Sequence, residues 1–248
     1  MIAYVIFILG ILIGSFLNVC IYRLPNNQSI VMPPSHCMTC NTRLKPLDLI
    51  PVLSYLFSRG KCRYCSTSFS PRYALVELLT ALLFVWCFQV FGLSLILLKA
   101  LILTSFFIVI TFIDYDHQLI LDKVLLWLTG FGVVINLYLG SVEPLDMLIA
   151  GLMGGGLLLF IAVVSKGGMG GGDIKFAAAL GLCFGWQSLL LTLLLSFALG
   201  GIGGALLLAL KLKSRKDLIP FGPFIALGAL ITLLYGNTII TWYIGNLS

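Results

Sequence analysis

Apolar stretches long enough to cross a bilayer recur along the whole chain, at 2–21, 73–91, 94–113, 124–139, 145–164, 189–210 and 221–242. About 20 apolar residues in a helix traverse the hydrocarbon core, roughly 30 Å thick, with every backbone polar group satisfied internally. The pattern predicts an all-α integral membrane protein. Composition agrees: the 248 residues are 60% hydrophobic and only 10% charged, where a soluble domain carries roughly a quarter charged residues. The first twenty residues are apolar, with no basic n-region and no small-residue cleavage site. They read as a retained first span rather than a removable signal peptide.

A shorter apolar segment at 174–185 leaves the number of crossings open until charge is considered. Counting it gives eight, and an outside N-terminus then places 22–72, 114–123, 165–173 and 211–220 on the inside. Those loops and their edges hold Arg23, Arg43, Lys45, Arg59, Lys61, Arg63, Arg72, Lys123, Lys166, Lys175, Lys211, Lys213, Arg215 and Lys216, leaving only Lys99 among the 15 basic residues. Basic residues concentrate on the cytoplasmic side of membrane proteins, so about eight transmembrane helices is the expected count. The net charge of +6 belongs to span borders rather than to a separate basic domain, which argues against a nucleic-acid partner. The chain divides into a first helix (1–22), a long cytoplasmic loop between helices 1 and 2 (23–72) and a polytopic remainder (73–248). Glycines within the spans, at 151, 154, 155 and 156 and again at 200, 201, 203 and 204, suit close helix packing.

The long loop contains Cys37-Met-Thr-Cys40 and, 21 residues on, Cys62-Arg-Tyr-Cys65. Two such knuckles supply four thiolates to a tetrahedral zinc. A disulfide framework is the alternative, but thiols stay reduced on the cytoplasmic side. Four protein ligands leave no open position, so the zinc would be structural. Cys20, Cys87 and Cys183 fall in apolar spans and read as packing residues.

Two carboxylates carry the candidate chemistry. Asp114 follows the third span, and Asp173 ends the glycine run Gly170-Gly171-Gly172-Asp173. Two crossings separate them, so both return to the same edge, where an ionisable residue is a functional candidate. The run lacks the lysine and hydroxyl of a phosphate-binding loop, and it could serve through the backbone freedom of glycine. Asp173 alone would pass as a helix N-cap, and Asp116 and Asp122 as solvated loop charges. Together, two carboxylates that share a water can hydrolyse a peptide: one takes the water's proton while the other, protonated, polarises the scissile carbonyl. With two histidines and no HExxH, a metalloprotease lacks its ligands, and no serine nucleophile elbow is present. A transporter with a structural zinc loop, or a non-catalytic assembly factor, are the competing classes.

These residues occur among further motifs: Gly14-Ser15-Phe16-Leu17-Asn18-Val19, Pro34-Ser35-His36-Cys37, Ile50-Pro51-Val52-Leu53-Ser54-Tyr55, Arg72-Tyr73-Ala74-Leu75-Val76-Glu77 and Pro220-Phe221-Gly222-Pro223. In this order they resemble the type IV prepilin leader peptidases, GxGD membrane aspartyl proteases that also process competence and secretion pseudopilins. The resemblance implies that Asp114 and Asp173 are the catalytic pair, at the cytoplasmic face of the bacterial inner membrane. It implies cleavage after a glycine, just before the apolar N-terminal helix of a prepilin or pseudopilin. It also implies, for the longer form with the cysteine loop, N-methylation of the new N-terminus with S-adenosylmethionine; a peptidase without that second activity is the alternative. The family usually has proline before the aspartate matched by Asp122, and Leu121 stands there. Gly170, Gly171, Gly172, Glu77 and Asp122 are expected to support the site. Asp116 and Asp122 could attract a basic leader, and Glu77 could pair with Lys175 or Arg72 or bind substrate.

Overall fold

The computed structural model describes residues 1–212 and 219–246, so Lys213, Arg215 and Lys216 of the basic edge lie outside the described residues. Among these there are nine α-helices and no strand: α1 (Ile2–Arg23), α2 (Leu53–Phe57), α3 (Arg72–Phe91), α4 (Leu95–His117), α5 (Asp122–Leu139), α6 (Pro144–Val164), α7 (Gly171–Phe184), α8 (Trp186–Ala209) and α9 (Gly222–Gly245). All but α2 and α7 are long and apolar enough to cross a membrane. The all-helical membrane architecture is as expected. The eighth apolar segment is α7, and its 14 residues rise only about 21 Å.

The chain forms two compact units, Met1–Leu97 and Leu98–Ser248. In the first, α1 packs on α3 through its glycines: a Cβ at Gly10 would lie 2.5 Å from Ala81 Cα, and one at Gly14 2.7 Å from Glu77 Cα. Polar clamps complete the contact. The Asn18 amide donates to the Tyr73 carbonyl at 2.9 Å, and the buried Arg23 guanidinium donates to the carbonyls of Ser29 and Pro33 at 2.9 and 2.7 Å. The loop 24–71 is thereby tied to the end of α1.

In the second unit α7 is the enclosed element. Phe176, Ala177, Leu180 and Cys183 have no solvent exposure, and α7 packs against α5, α6, α8 and α9. Enclosure by protein, not lipid, is what allows so short an apolar helix. Gly155 of α6 faces Ala178 and the Ile174 carbonyl, so α7 begins level with the middle of α6. At its other end, Gly185 lies against Asp146 and Val142, and the Trp186 N–H donates to Asp146 Oδ1 at 3.0 Å. There α7 finishes level with the start of α6. The segment 165–170, with left-handed Lys166 (φ 54°) and Gly167 (φ 97°), brings the chain back beside α6 before α7 begins.

Lys99, the one basic residue that no inside loop accounts for, is buried near the same end. Its Nζ donates to Asn136 Oδ1 at 2.5 Å, and the Asn136 amide donates to the Cys183 carbonyl at 2.8 Å. It joins α4, α5 and α7.

Candidate active site and metal centre

Asp114 is not in a loop. α4 continues through it to His117, and the Gln118 N–H closes the last turn on the Asp114 carbonyl at 2.8 Å. Polar residues at 114–117 marked an earlier end in the sequence, but i to i−4 bonds persist wherever a helix end is supported by packing. Asp116 and His117 therefore belong to α4 as well. The Asp114 side chain is buried, and its Oδ2 accepts the Gly222 N–H at 2.9 Å.

Asp173 is the third residue of α7, not its cap; Gly170 holds the cap position. The Asp173 carboxylate reaches back to accept the Gly170 N–H at 3.3 Å, which satisfies one of the donors a helix start leaves open. The glycines act by size rather than by backbone freedom. Gly170 is extended (φ −70°), yet a Cβ there would come 2.9 Å from Asp173 Oδ2. A Cβ on Gly172 would come 2.9 Å from Ile120 Cβ, while Gly171 meets nothing within 4 Å. Ile120 also lies beside Gly222. The starts of α7 and α9 and the α4–α5 turn thus converge on one place, and the Asp114 and Asp173 carboxylates are near enough to interact electrostatically.

The remaining carboxylates separate. Asp122 opens α5 and receives Lys175 Nζ on both oxygens at 2.8 Å, with both side chains exposed. Lys175 is thus the partner of Asp122, not of Glu77. Leu121, in the usual proline position, has φ −77°, a value proline adopts, so the turn keeps its shape without the ring. Glu77 is buried in the first unit. Its Oε2 accepts the Val52 N–H at 2.7 Å, and the Ser15 hydroxyl bonds the same side chain. Val52 has φ 62°, an uncommon conformation for a β-branched residue, so Glu77 holds a strained turn of the loop. Gly222 was the functional contact that sequence reasoning missed. Its signal was the glycine set between Phe221 and Pro223 just before a span.

The four loop cysteines come together, their Sγ atoms all within 4.8 Å of one another and Cys37 Sγ 3.7 Å from Cys65 Sγ. Zinc–sulfur bonds of about 2.3 Å in a tetrahedron place sulfurs about 3.8 Å apart. The two knuckles repeat the same local fold. The Cys37 N–H donates to Thr42 and that of Cys62 to Thr67, and each CxxC is followed by a left-handed residue, Asn41 (φ 54°) or Ser66 (φ 60°). In each, backbone N–H groups aim at the first sulfur. The N–H groups of Cys40 and Thr39 push the Cys37 thiol down to about 6. Around Cys62 the Tyr64 and Cys65 N–H groups favour the thiolate, but burial and the neighbouring Cys65 and Cys37 sulfurs outweigh them and raise its pKa. Crowded thiols that oppose one another's ionisation are what a bound cation resolves, so the residues fit a metal.

Fold and sites together define a polytopic membrane protein with a buried carboxylate pair and a four-thiol metal knuckle. Residues 101–205 match the Type IV leader peptidase family, and residues 8–91 the Bacterial Peptidase A24 N-terminal domain. The chain is 38% identical to the prepilin leader peptidase/N-methyltransferase of Aeromonas salmonicida (strain A449), over 98% of this chain and 94% of that protein. It is 36% identical to the protein of that name in Bacillus subtilis (strain 168), over 97% of each chain. It is 37% identical to that of Pseudomonas aeruginosa, over 96% of this chain and 91% of the relative. No solved structure matches the chain. The chain belongs to the type IV leader peptidase family.

Proposed function

We propose that this chain is a membrane aspartyl endopeptidase that removes the leader peptide from type IV prepilins or pseudopilins, with Asp114 and Asp173 as its catalytic pair. The observation that carries the assignment is the shared mode of anchoring. Each buried carboxylate has one oxygen fixed by a glycine N–H, Gly222 for Asp114 and Gly170 for Asp173, which leaves its second oxygen for a water. One carboxylate takes a proton from that water as the oxygen attacks the scissile carbonyl carbon. The other hydrogen-bonds the carbonyl oxygen, and the C–N bond breaks as its nitrogen gains a proton. Non-helical backbone at membrane depth persists where it is enclosed by protein or lines a water-filled cavity. The segment 165–170 beside α6 fits that condition, and so supports water reaching Asp173.

In this reading the site faces the cytoplasm in the bacterial inner membrane, on the evidence of the basic loops. A prepilin presents its basic leader inside the cell and its apolar helix in the bilayer, so the scissile junction meets the protease without unfolding. The peptidase is carried by 73–248 and the methylation-associated part by 23–72, with Cys37, Cys40, Cys62 and Cys65 holding a structural zinc. The relatives' shared name supports a second activity, N-methylation of the new N-terminus with S-adenosylmethionine. When bound, that donor supplies the methyl group: its C–S bond breaks as the N–C bond forms, leaving a thioether and releasing the amine's proton.

The test is cleavage of a prepilin by the purified protein. Asp114→Asn and Asp173→Asn keep the shape of the side chain and its acceptor oxygen but remove the acid–base role, so each is expected to lower kcat by at least ~10²–10⁴-fold. Full processing by either would remove the pair from the chemistry. Mass spectrometry of the mature N-terminus, with and without the donor, separates a bifunctional enzyme from a peptidase alone.

A further inference from the structure

The first unit contains a cavity of about 430 Å³ between α1, α3 and the cysteine loop, within the range of about 300–1,000 Å³ that small-molecule sites occupy. We propose that this cavity binds S-adenosylmethionine, an inference that rests on the methylation reading above. The donor combines a flat adenine, a sulfonium cation and a zwitterionic amino-acid end. The cavity offers a counterpart to each. Tyr22, Tyr55 and Tyr73 line it and present ring faces that suit stacking and attract a cation. Glu77 lines it as well, buried, with Oε2 fixed by the Val52 N–H. A carboxylate held in place by backbone is pre-organised to face a positive charge, whether the sulfonium or a substrate amine. Lys61 adds a cation in the same wall for a carboxylate.

The structural role of the zinc knuckle follows from the same geometry. Cys37 is itself a wall residue, and Lys61 precedes Cys62. Ordering the knuckles fixes one side of the cavity, while the α1–α3 contact fixes the other. Glu77 joins them, since it stands on α3 and its carboxylate holds the loop at Val52. The metal thus acts as a positioning element for the donor site, without an open coordination position.

The experiment uses the full-length protein in nanodiscs. Affinity for S-adenosylmethionine is measured by equilibrium dialysis for wild type, for Glu77→Gln, which removes the charge, and for Ala74→Phe, which fills the cavity from α3. Ultraviolet cross-linking of radiolabelled S-adenosylmethionine to wild type, with peptide mapping, gives a second readout that needs no variant. The expected results are a Kd weakened at least tenfold in both variants and label within residues 15–77. Wild-type affinity in both variants, or label within 98–248, would overturn the cavity assignment while leaving methylation standing. A wild-type protein that cleaves prepilin yet binds no donor would overturn the methylation reading, and this proposal with it.

Discussion

At Gly222 the backbone at the start of one helix touches the carboxylate on another. Its N–H holds Asp114 Oδ2, and a Cβ at the same position would lie 2.5 Å from that oxygen. Gly222→Ala must therefore move Asp114 or the start of α9. Misplacement of a reacting group by about 1 Å can cost ~10²-fold, so kcat for leader cleavage should fall about 10–10²-fold with KM little changed. Steady-state kinetics on a prepilin peptide would show it, and a wild-type kcat would mean that Asp114 is positioned by something else. The contrast with the aspartates explains what could be read from the sequence. Asp114 and Asp173 each stand where an apolar run meets glycines or charges, a local signal. Gly222 is 108 residues from Asp114, and no local pattern reports such a contact. For the same reason Lys175 could not be assigned to Asp122 rather than Glu77 until the fold brought α5 and α7 together.

Element by element, the apolar runs gave the long helices, but the ends were set by packing. α4 passes through Asp114 because the Gly222 contact and the α4–α5 turn support its last turn. α7 could be seen as apolar and short, yet not as enclosed, because an apolar residue reads alike whether it faces lipid or protein. The α6–α7 contact is testable through its glycines. A Cβ at Gly154 would lie 2.7 Å from the Ala177 carbonyl, while one at Gly156 meets nothing within 4 Å. Gly154→Leu should cost about 1–3 kcal/mol by overpacking and lower the melting temperature in detergent, and Gly156→Leu should not. Equal melting temperatures would count against this packing. The cysteine knuckles were fully legible, since their spacing and order are local. Their chemistry adds a pH dependence. The Cys37 thiol lies at about 6, below its ordinary value of 9.0, so its thiolate persists at neutral pH and is lost as pH falls through about 6. Metal ligands must be deprotonated; zinc should therefore pass to a chelator faster below pH 6 than at pH 7.5. Cys62→Ser should hold well under one zinc per chain.

On the scale of the whole molecule, charge and backbone make separate statements about topology. Fourteen of the 15 basic residues fall on loops or edges that eight crossings would place inside, and the fifteenth, Lys99, is buried on Asn136. The backbone supplies the step that length alone denies to α7. The chain descends beside α6 through 165–170, then runs as α7 to the level of Asp146 at the start of α6. Segment and helix together cover the depth of one crossing, so α6 and α7 return the chain to opposite ends and the even count holds. A re-entrant α7 would instead leave Glu143 and the Lys211 edge on the same side of the membrane. Both residues are exposed, as is Lys166. In intact cells a membrane-impermeant maleimide should label Glu143→Cys above the background of the parent chain. Lys166→Cys and Lys211→Cys should label only after the membrane is opened. Labelling of Lys211→Cys from outside would make the count odd, turn α7 into a hairpin and place the α8–α9 loop outside, breaking the charge asymmetry on which the cytoplasmic site rests.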